Sequence, residues 1–224
     1  MFDSIAPEYD RLNHILSLDI DRTWRRRAVK QIVDTSSPLN ILDVACGTGD
    51  FAIAIARKAG AGSRVTGIDL SEGMLAIGRE KVARAGLSGI VGLEHGDSEE
   101  INYGEGSFDR VSAAFGVRNF ENIGTGLEEM YRVLKKGGKM VILELSVPQN
   151  KAMAWLYSLY FIRILPAIGG LFSGDRKAYE YLPASVMHFP KPSEFKAMMK
   201  DAGFRDIVHK AFTLGICRMY IGTK

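Results

Sequence analysis

Short apolar runs alternate with segments of helical periodicity through the middle of the chain. Five runs have the length and composition of buried strands, at positions 40–45, 64–68, 90–97, 108–115 and 140–145. Three segments between them predict helices, at 51–58, 71–85 and 122–134. Ser71 caps the second helix, and Gly137-Gly138 ends the third. This alternation predicts a parallel sheet with helices on both faces.

The C-terminal end of the chain breaks this alternation. A helix at 193–202, capped by Ser193, precedes two strand-like runs at 206–212 and 216–221. The tight turn between these runs, Leu214-Gly215, predicts a hairpin. The chain therefore predicts a doubly wound α/β sheet with an antiparallel last edge.

A segment of about forty residues separates the fifth strand from the last helix, and it is too long for an ordinary connection. Its centre, 153–172, is mostly apolar but is interrupted by Arg163, Pro166 and Gly169-Gly170. We interpret 147–192 as an apolar lid that receives a lipid-like substrate and contacts a membrane surface. A core helix and a membrane-spanning helix are the alternatives.

The stretch from Asp43 to Asp50 carries the strongest chemical signal. The first apolar run ends there at two glycines, Gly47 and Gly49, and a helix-forming segment follows. Glycines at a strand-to-helix turn permit positive φ and let a ligand approach backbone N–H groups. Asp69 ends the next apolar run twenty positions after Gly49, at the place of a carboxylate that binds both ribose hydroxyls. The pattern predicts a ribonucleoside cofactor.

Asp43 helps to distinguish between two classes of cofactor. Gly47, Gly49 and Ala52 also fit the dinucleotide fingerprint GxGxx(G/A), so the glycines alone would suit a nicotinamide cofactor. An acid four positions before the first glycine favours a cationic sulfonium with an amino-acid tail and opposes a pyrophosphate. A plain turn in an α/β protein is the remaining alternative.

Composition and charge exclude few classes of protein. The 224 residues suit one domain, and 46% hydrophobic content is ordinary for a globular protein. The formal charge is only +3, and the single dense basic run, Arg25-Arg26-Arg27, is typical of a solvated helix face. We therefore expect no nucleic-acid partner.

Metal sites and disulfides are not expected either. The four histidines, His14, His95, His188 and His209, lack the spacing of metal ligands. The two cysteines show no pairing pattern, and the N-terminus shows no signal-peptide pattern. We expect a reducing compartment, the cytoplasm, with peripheral contact at the inner face of the cell membrane.

Several further motifs lie in register over the whole chain. One occupies 2–13, with Leu16-Ser17 and Trp24 after it. Others occupy 115–119, 132–139 with 143–146, and 179–182 with Ser185 and Phe189-Pro190. Together with the glycine turn, they resemble the ubiquinone and menaquinone C-methyltransferase family (UbiE/MenG type), and most closely its menaquinone branch.

The resemblance implies a Rossmann-like class I S-adenosylmethionine-dependent methyltransferase. Its sheet would be mostly parallel and seven-stranded, with a C-terminal antiparallel hairpin. The chain would form a single methyltransferase domain, made of an N-terminal helical cap (1–38), a cofactor-binding core (39–146), the apolar lid (147–192), and the last helix and hairpin (193–224).

The resemblance also implies where S-adenosylmethionine binds, over the carboxyl ends of strands one to four. Thr48 and the backbone of Gly47 and Gly49 would hold the methionyl end. Asp69 would bind the ribose diol, and Asp43 would lie near the cationic group.

The adenine and the methyl group would lie further along the same edge of the sheet. Met74 would pack near the adenine, Asp97 would accept from its amino group, and the Ser98 N–H would donate to its ring. Ala114 would line the methyl-donor end. A turn cap for Asp97 and a core side chain for Met74 are the alternatives.

The implied reaction is methyl transfer to a ring carbon of a prenylated hydroquinone. Only the reduced ring is nucleophilic, and ionisation of a phenol, which titrates near ~10, raises its electron density. We expect Arg118 to favour the anion, with a strand-end salt bridge as the alternative role. Asn119, Tyr9 and Asn13 would orient the ring hydroxyls.

Other assignments stay open at this point. His14 or His188 would relay the proton lost from carbon. The substrate could instead be the benzoquinol of ubiquinone biosynthesis, and a non-catalytic cofactor-binding subunit of a quinone-synthesis assembly is a further alternative. The oligomeric state is also open, with a homodimer or a quinone-synthesis assembly as the candidates. A nicotinamide-dependent reductase lacks support from Asp43, and a nucleic-acid methyltransferase lacks a base-contacting motif after strand four.

Overall fold

The computed structural model describes residues 19–150, 153, 155 and 176–224. Within them the elements run in the order α1 (Ile20–Ile32), β1 (Asn40–Val44), α2 (Asp50–Ala56), β2 (Arg64–Asp69), α3 (Glu72–Arg84), β3 (Val91–His95), β4 (Phe108–Ala114), α4 (Ile123–Val133), β5 (Leu134–Leu145), α5 (Arg176–His188), α6 (Pro192–Asp201), β6 (Arg205–Phe212) and β7 (Cys217–Thr223). Two short 3-10 helices lie at Val117–Asn119 and Thr213–Gly215. Tyr9, Asn13, His14 and most of 153–172 lie outside the described residues.

The seven strands form one sheet in the order β3-β2-β1-β4-β5-β7-β6. The five strands from β3 to β5 pair in parallel, whereas β7 is antiparallel to both β5 and β6. The predicted fold class is therefore confirmed. Because parallel strands end at the same edge, the loops after β1, β2, β3 and β4 lie together.

Helices cover both faces of the sheet. On one face α1 and α2 bury Trp24, Ile32 and Phe51. On the other face α4 and α6 bury Leu127 and Phe195. Each large apolar side chain buried in this way contributes about 1.5–3 kcal/mol. The two cores fix the carboxyl edge of the sheet as a rigid platform.

The boundary between α4 and β5 differs from the prediction. The glycine pair Gly137-Gly138 does not end the helix, because α4 stops at Val133 and the strand begins at Leu134. The pair instead lies in an irregular part of β5, where the register with β4 shifts. The Gly137 N–H donates to the carbonyl of Lys224 (2.8 Å), and the Lys224 N–H donates to Gly138 (3.1 Å). These bonds satisfy the backbone that the shift leaves unpaired.

Of the two N-caps predicted from the sequence, one is confirmed and one is wrong. Ser71 caps α3 as predicted, since its hydroxyl accepts the Met74 N–H at 3.2 Å. Ser193 does not cap α6. Pro192 occupies the start of that helix, and the N-cap is Lys191. Proline suits the first turn because its φ is already helical and its missing N–H needs no partner there.

Two glycines let the loops at the carboxyl edge approach closely. A Cβ added at Gly67 on β2 would lie 2.6 Å from Leu93 Cδ2 and 2.8 Å from Cys46 Sγ. A Cβ at Gly116, after β4, would lie 2.6 Å from the Cβ of Ala45. Such distances are too short for carbon contacts, so only glycine fits.

We expect Gly67→Ala to lower the free energy of unfolding by about 1–3 kcal/mol, because the new methyl group overpacks the core beneath the glycine turn. Gly92→Ala, on the adjacent strand, is the matched control, since its Cβ meets no described atom within 4 Å. That variant should be neutral or more stable by about 0.5 kcal/mol. Urea denaturation measures both, and equal effects would contradict the packing described.

Candidate active site

A cavity of about 340 Å³ lies at the carboxyl ends of β1, β2 and β4 and at the loop after β3. Its walls include most of the residues predicted to bind the cofactor, namely Asp43, Gly47, Thr48, Asp69, Met74, Asp97, Ser98 and Ala114. Gly49 lies next to this wall as the N-cap of α2. The structure thus brings together residues that are up to about 70 positions apart in the sequence.

Asp69 connects β2 to the glycine turn. One carboxylate oxygen accepts the Gly47 N–H at 2.8 Å, and the other accepts the Ser71 N–H at 2.9 Å. Each oxygen of a carboxylate can accept more than one hydrogen bond. The side chain can therefore hold the turn in place and bind a pair of ligand hydroxyls at the same time.

The turn itself has an unusual backbone. Ala45, Gly47 and Gly49 all have positive φ, at 52°, 54° and 75°. The Gly49 N–H donates back to the Cys46 carbonyl at 2.9 Å, which closes the turn. A Cβ at Gly47 would lie 3.1 Å from Met74 Cε. The turn therefore lies against α3, and a side chain at Gly47 would require both a strained backbone and a shift of Met74.

Asp43 is a buried carboxyl at the base of the cavity, and it is only 1% exposed. One oxygen accepts the Ser112 hydroxyl at 2.7 Å, while the other has no hydrogen-bond partner among the described residues. Burial is the main cause that raises the pKa of Asp43 to about 7, and the nearby Asp69 carboxylate adds to the effect. Such a carboxyl favours a positively charged ligand, which would stabilise its ionised form.

Charged side chains from three helices meet beside Thr48, and two of them, Arg25 and Asp50, line the cavity. Lys81 on α3 donates to the Thr48 hydroxyl at 3.1 Å and forms an ion pair with Asp50. Asp50 also pairs with Arg25 on α1 at 3.2 Å. The guanidinium of Arg25 lies 5.5 Å from the centre of the Phe115 ring. These contacts fix the polar wall on which an amino-acid tail would lie.

Arg25 and Leu70 are wall residues that were missed at the sequence level. We interpreted the basic run as a solvated face, yet the Arg25 side chain is only 14% exposed and reaches the cavity. The signal available was its distance of one helical turn from Asp21, with which it pairs at 3.4 Å. Leu70 is 59% exposed beside Asp69 and offers apolar surface to a ligand.

Asp97, Ser98 and Met74 form a further part of the cavity wall. Asp97 accepts the Glu99 N–H at 2.8 Å, so it caps a turn, which is the alternative role that the sequence left open for it. Met74 is 3% exposed and packs within the core as well as lining the cavity. Their turn and core contacts do not prevent binding of an adenine, and that role stays a prediction.

Arg118 lies behind the cavity and not in its wall. Its guanidinium pairs with Glu144 Oε1 at 2.7 Å, donates to Ser185 Oγ at 3.3 Å, and also donates to the Phe115 carbonyl. The side chains of Arg118 and Glu144 are 5% and 0% exposed. The contacts are those of the salt-bridge alternative, and the catalytic role of Arg118 stays a prediction.

A second cavity of about 500 Å³ adjoins the first. Arg118, Tyr181 and His188 lie in its walls, and Phe120 and Glu121 line both cavities. His188 Nδ1 lies 2.7 Å from the Ala184 carbonyl of its own helix, α5.

Asn119 lies in the wall of the first cavity and contacts α5. Its side-chain oxygen accepts the Tyr181 hydroxyl at 3.0 Å. Arg118 contacts the same helix through Ser185. The two sequence motifs at 115–119 and 179–185 therefore meet, and polar contacts join α5 to the wall of the first cavity.

The described part of the chain contains neither a metal-binding cluster nor a candidate membrane span. Within it, His, Cys, Asp and Glu form no group of three or more that could hold a metal ion. None of its helices combines the length and the apolar character of a membrane span.

Comparisons with known proteins agree with this architecture. A model described as the ubiE/COQ5 methyltransferase family matches residues 1–224. The chain is 49% identical to a protein of Geobacter sulfurreducens named ubiquinone/menaquinone biosynthesis C-methyltransferase UbiE, over 100% of this chain and 87% of the relative. It is 44% identical to the demethylmenaquinone methyltransferase of Bacteroides fragilis, over 100% and 91%.

A solved structure shares the fold. A SAM-dependent methyltransferase from Thermotoga maritima superimposes with a TM-score of 0.67 at 19% identity, covering 100% of this chain and 98% of that one. At this identity the likeness concerns the fold alone.

We expect the pKa of Asp43 to appear in the pH dependence of stability. A carboxyl whose pKa rises from 3.8 to about 7 on folding loses stability as the pH rises from about 4 to 7. Asp43→Asn removes this loss, so its advantage over wild type should grow by on the order of 2 kcal/mol between pH 5 and pH 8. Urea denaturation at the two pH values measures the difference.

Asp109→Asn is the control of opposite sign. Hydrogen bonds from Lys135 and the Asn40 N–H outweigh burial and lower the pKa of Asp109. Its stabilising effect is present at neutral pH and is lost as the pH falls, so this variant should be less stable than wild type at pH 8. A pH-independent offset for Asp43→Asn would contradict the assignment.

Proposed function

Because this chain belongs to the ubiE/COQ5 methyltransferase family, we propose that it transfers a methyl group from S-adenosylmethionine to a ring carbon of a prenylated demethylmenaquinol. The product would be a menaquinol. One observation carries the proposal: a buried carboxyl with an unpartnered oxygen within the described residues, Asp43, shares a cavity with a ribose-type carboxylate, Asp69. The printed name of the Bacteroides relative supports the choice of substrate.

The residues of the cavity fit S-adenosylmethionine by charge and by shape. Asp43 suits the positive charge of a sulfonium or an ammonium group. The backbone of Gly47 and Gly49 and the Thr48 hydroxyl would hold the methionyl end, and Asp69 would bind the ribose. Leu70 and Met74, with Asp97 and Ser98, would enclose the adenine. When bound, S-adenosylmethionine supplies an electrophilic methyl group.

The acceptor would enter from the side of Ala114 and Asn119. The side-chain oxygen of Asn119 accepts from Tyr181, and its side-chain nitrogen Nδ2, unlike its backbone N–H, makes no hydrogen bond within the described part of the chain. Its N–H groups are thus available for a ring oxygen. We propose that Asn119 orients the ring and favours its ionised hydroxyl, and that Tyr9 and Asn13 assist. Alignment of the two reactants can itself supply about 7 kcal/mol of the rate acceleration.

Arg118 would act on the ring oxygen through the second cavity. The electrostatic field of a nearly dry guanidinium lowers the pKa of a neighbouring phenol, although the Glu144 carboxylate offsets part of that field. His188, in the wall of the same cavity, is our candidate for the proton relay, with His14 as the other.

The function is tested by mass spectrometry of a short-chain demethylmenaquinone incubated in detergent with the protein and S-adenosylmethionine, either with dithionite or in air. We expect the gain of one methyl group in the reduced sample only, because the quinone is electrophilic. A demethoxy-type benzoquinol of equal chain length is the matched control for ring class. Binding of the cofactor without any methyl gain would favour the non-catalytic alternative.

Two variants should separate cofactor binding from turnover. Asp69→Ala should weaken binding of S-adenosylmethionine by at least ~100-fold, because two charge-assisted hydrogen bonds are lost. Arg118→Gln combined with Glu144→Gln removes the buried pair without leaving a lone charge. Calorimetry measures the dissociation constant of S-adenosylmethionine, and quenched turnover assays measure kcat.

The double variant should bind the cofactor as wild type does and lose at least ~100-fold in kcat, the scale of a lost oxyanion-stabilising group. Full turnover with normal binding would show that Arg118 is a salt-bridge partner only.

A further inference from the structure

A basic groove of about 950 Å³ runs along the outer side of the helical layer formed by α1, α2 and α3. Its cationic side chains are Arg22, Arg25, Arg26, Arg57, Lys81 and Arg84. Among the described residues in its walls, Asp50 is the single carboxylate. A chain with a formal charge of only +3 thus concentrates positive charge on one face.

Neighbouring acids neutralise only part of this charge. Arg25 pairs with Asp21 at 3.4 Å, and Arg22 pairs with Asp19 at 3.1 Å, where both side chains are 62% exposed. Arg25 and Lys81 share Asp50 at the inner end of the groove. Arg26 and Arg57 form no ion pair within the described part of the chain. The pair of Arg84 with Glu80 is 3.9 Å long, and both side chains are more than 70% exposed. Exposed pairs of this kind are weak and are screened by salt.

Folding stability accounts for Arg25 on α1, which pairs with Asp21 and Asp50, but not for the other two arginines of the groove on this helix. Arg22 lies in the first turn of this helix, where the helix dipole disfavours a cation, and Arg26 lies in its middle, where the dipole gives a cation no advantage. Arg57 and Arg84 do lie at helix C-termini, where cations are favoured. The convergence of both sets on one groove therefore points to a ligand that is anionic.

The position of the groove links it to the cofactor cavity, since Arg25 and Asp50 lie in the walls of both. An anionic surface held there would lie beside the cavity. Aromatic side chains, on which nucleic-acid bases stack, are absent from the described residues of the groove wall. This favours a lipid surface over a nucleic acid.

We propose that the basic groove of α1, α2 and α3 docks the anionic phospholipid headgroups of a membrane. The groove would place the cavity at the membrane surface where a prenylated substrate resides, and this part of the reasoning rests on the proposed function. Each basic residue near an anionic bilayer strengthens binding about fivefold.

Flotation with vesicles tests the proposal. Wild type should bind vesicles of phosphatidylcholine with 30% phosphatidylglycerol, should leave vesicles of pure phosphatidylcholine unbound, and should be released by salt. The groove variant Arg26→Gln/Arg57→Gln/Arg84→Gln should bind the anionic vesicles about 100-fold more weakly. The matched variant Lys136→Gln/Lys200→Gln/Lys210→Gln removes the same charge from exposed sites elsewhere and should bind within about twofold of wild type.

Three outcomes would overturn the proposal: equal binding by the two triple variants, equal binding of wild type to neutral vesicles, or a groove-dependent retention on RNA in place of vesicles. Inorganic phosphate at millimolar concentration distinguishes a surface from a single phosphate site, because only a single site would be saturated by it. Methyl transfer to a short-chain quinol in detergent should be the same in the groove variant and wild type. If that reaction fails in both while vesicle binding depends on the groove, the proposed function is wrong and the docking surface stands.

Discussion

The hydrogen bonds of Asp69 are the interaction on which the rest of the site depends. A single carboxylate at the end of β2 accepts from the turn after β1 and from the start of α3. It thereby fixes a backbone with three positive φ values in a row of five residues, a conformation that isolated chains rarely adopt. The close fit of Gly67 and Gly116 against neighbouring loops leaves that turn no room to relax. The cavity is therefore formed before any ligand enters it.

A second set of polar contacts joins this rigid edge to α5. Asn119 and Arg118 lie next to each other in one 3-10 helix and bind Tyr181 and Ser185. Glu144, fully buried on β5, holds the Arg118 backbone and side chain together. A movement of α5 would therefore be felt directly at the wall of the cofactor cavity. The same contacts explain why two short motifs so far apart in the sequence occur in one chain.

The sequence was informative wherever a signal was local. Alternating apolar runs predicted the parallel strands, and the spacing of Asp43, Gly47 and Asp69 predicted one cavity that the structure contains. Signals that depend on the third dimension were not readable. Arg118 meets partners 26 and 67 positions away, which no spacing rule indicates. Arg25 was assigned to solvent because its basic neighbours were counted, whereas its partners Asp21 and Asp50 were not.

The prediction that Gly137-Gly138 ends a helix was wrong for a related reason, because two adjacent glycines can either end a helix or permit a bulge in a strand.

The burial of Asp43 also affects the direction of the catalytic cycle. A carboxyl that titrates near neutral pH releases its proton when a cation binds beside it. In the proposed reaction, the sulfonium becomes an uncharged thioether, so the donor loses one of the two positive charges that Asp43 can face, while its ammonium group stays charged. The site would therefore bind the demethylated donor less tightly than S-adenosylmethionine, and each methyl transfer would favour release of that product.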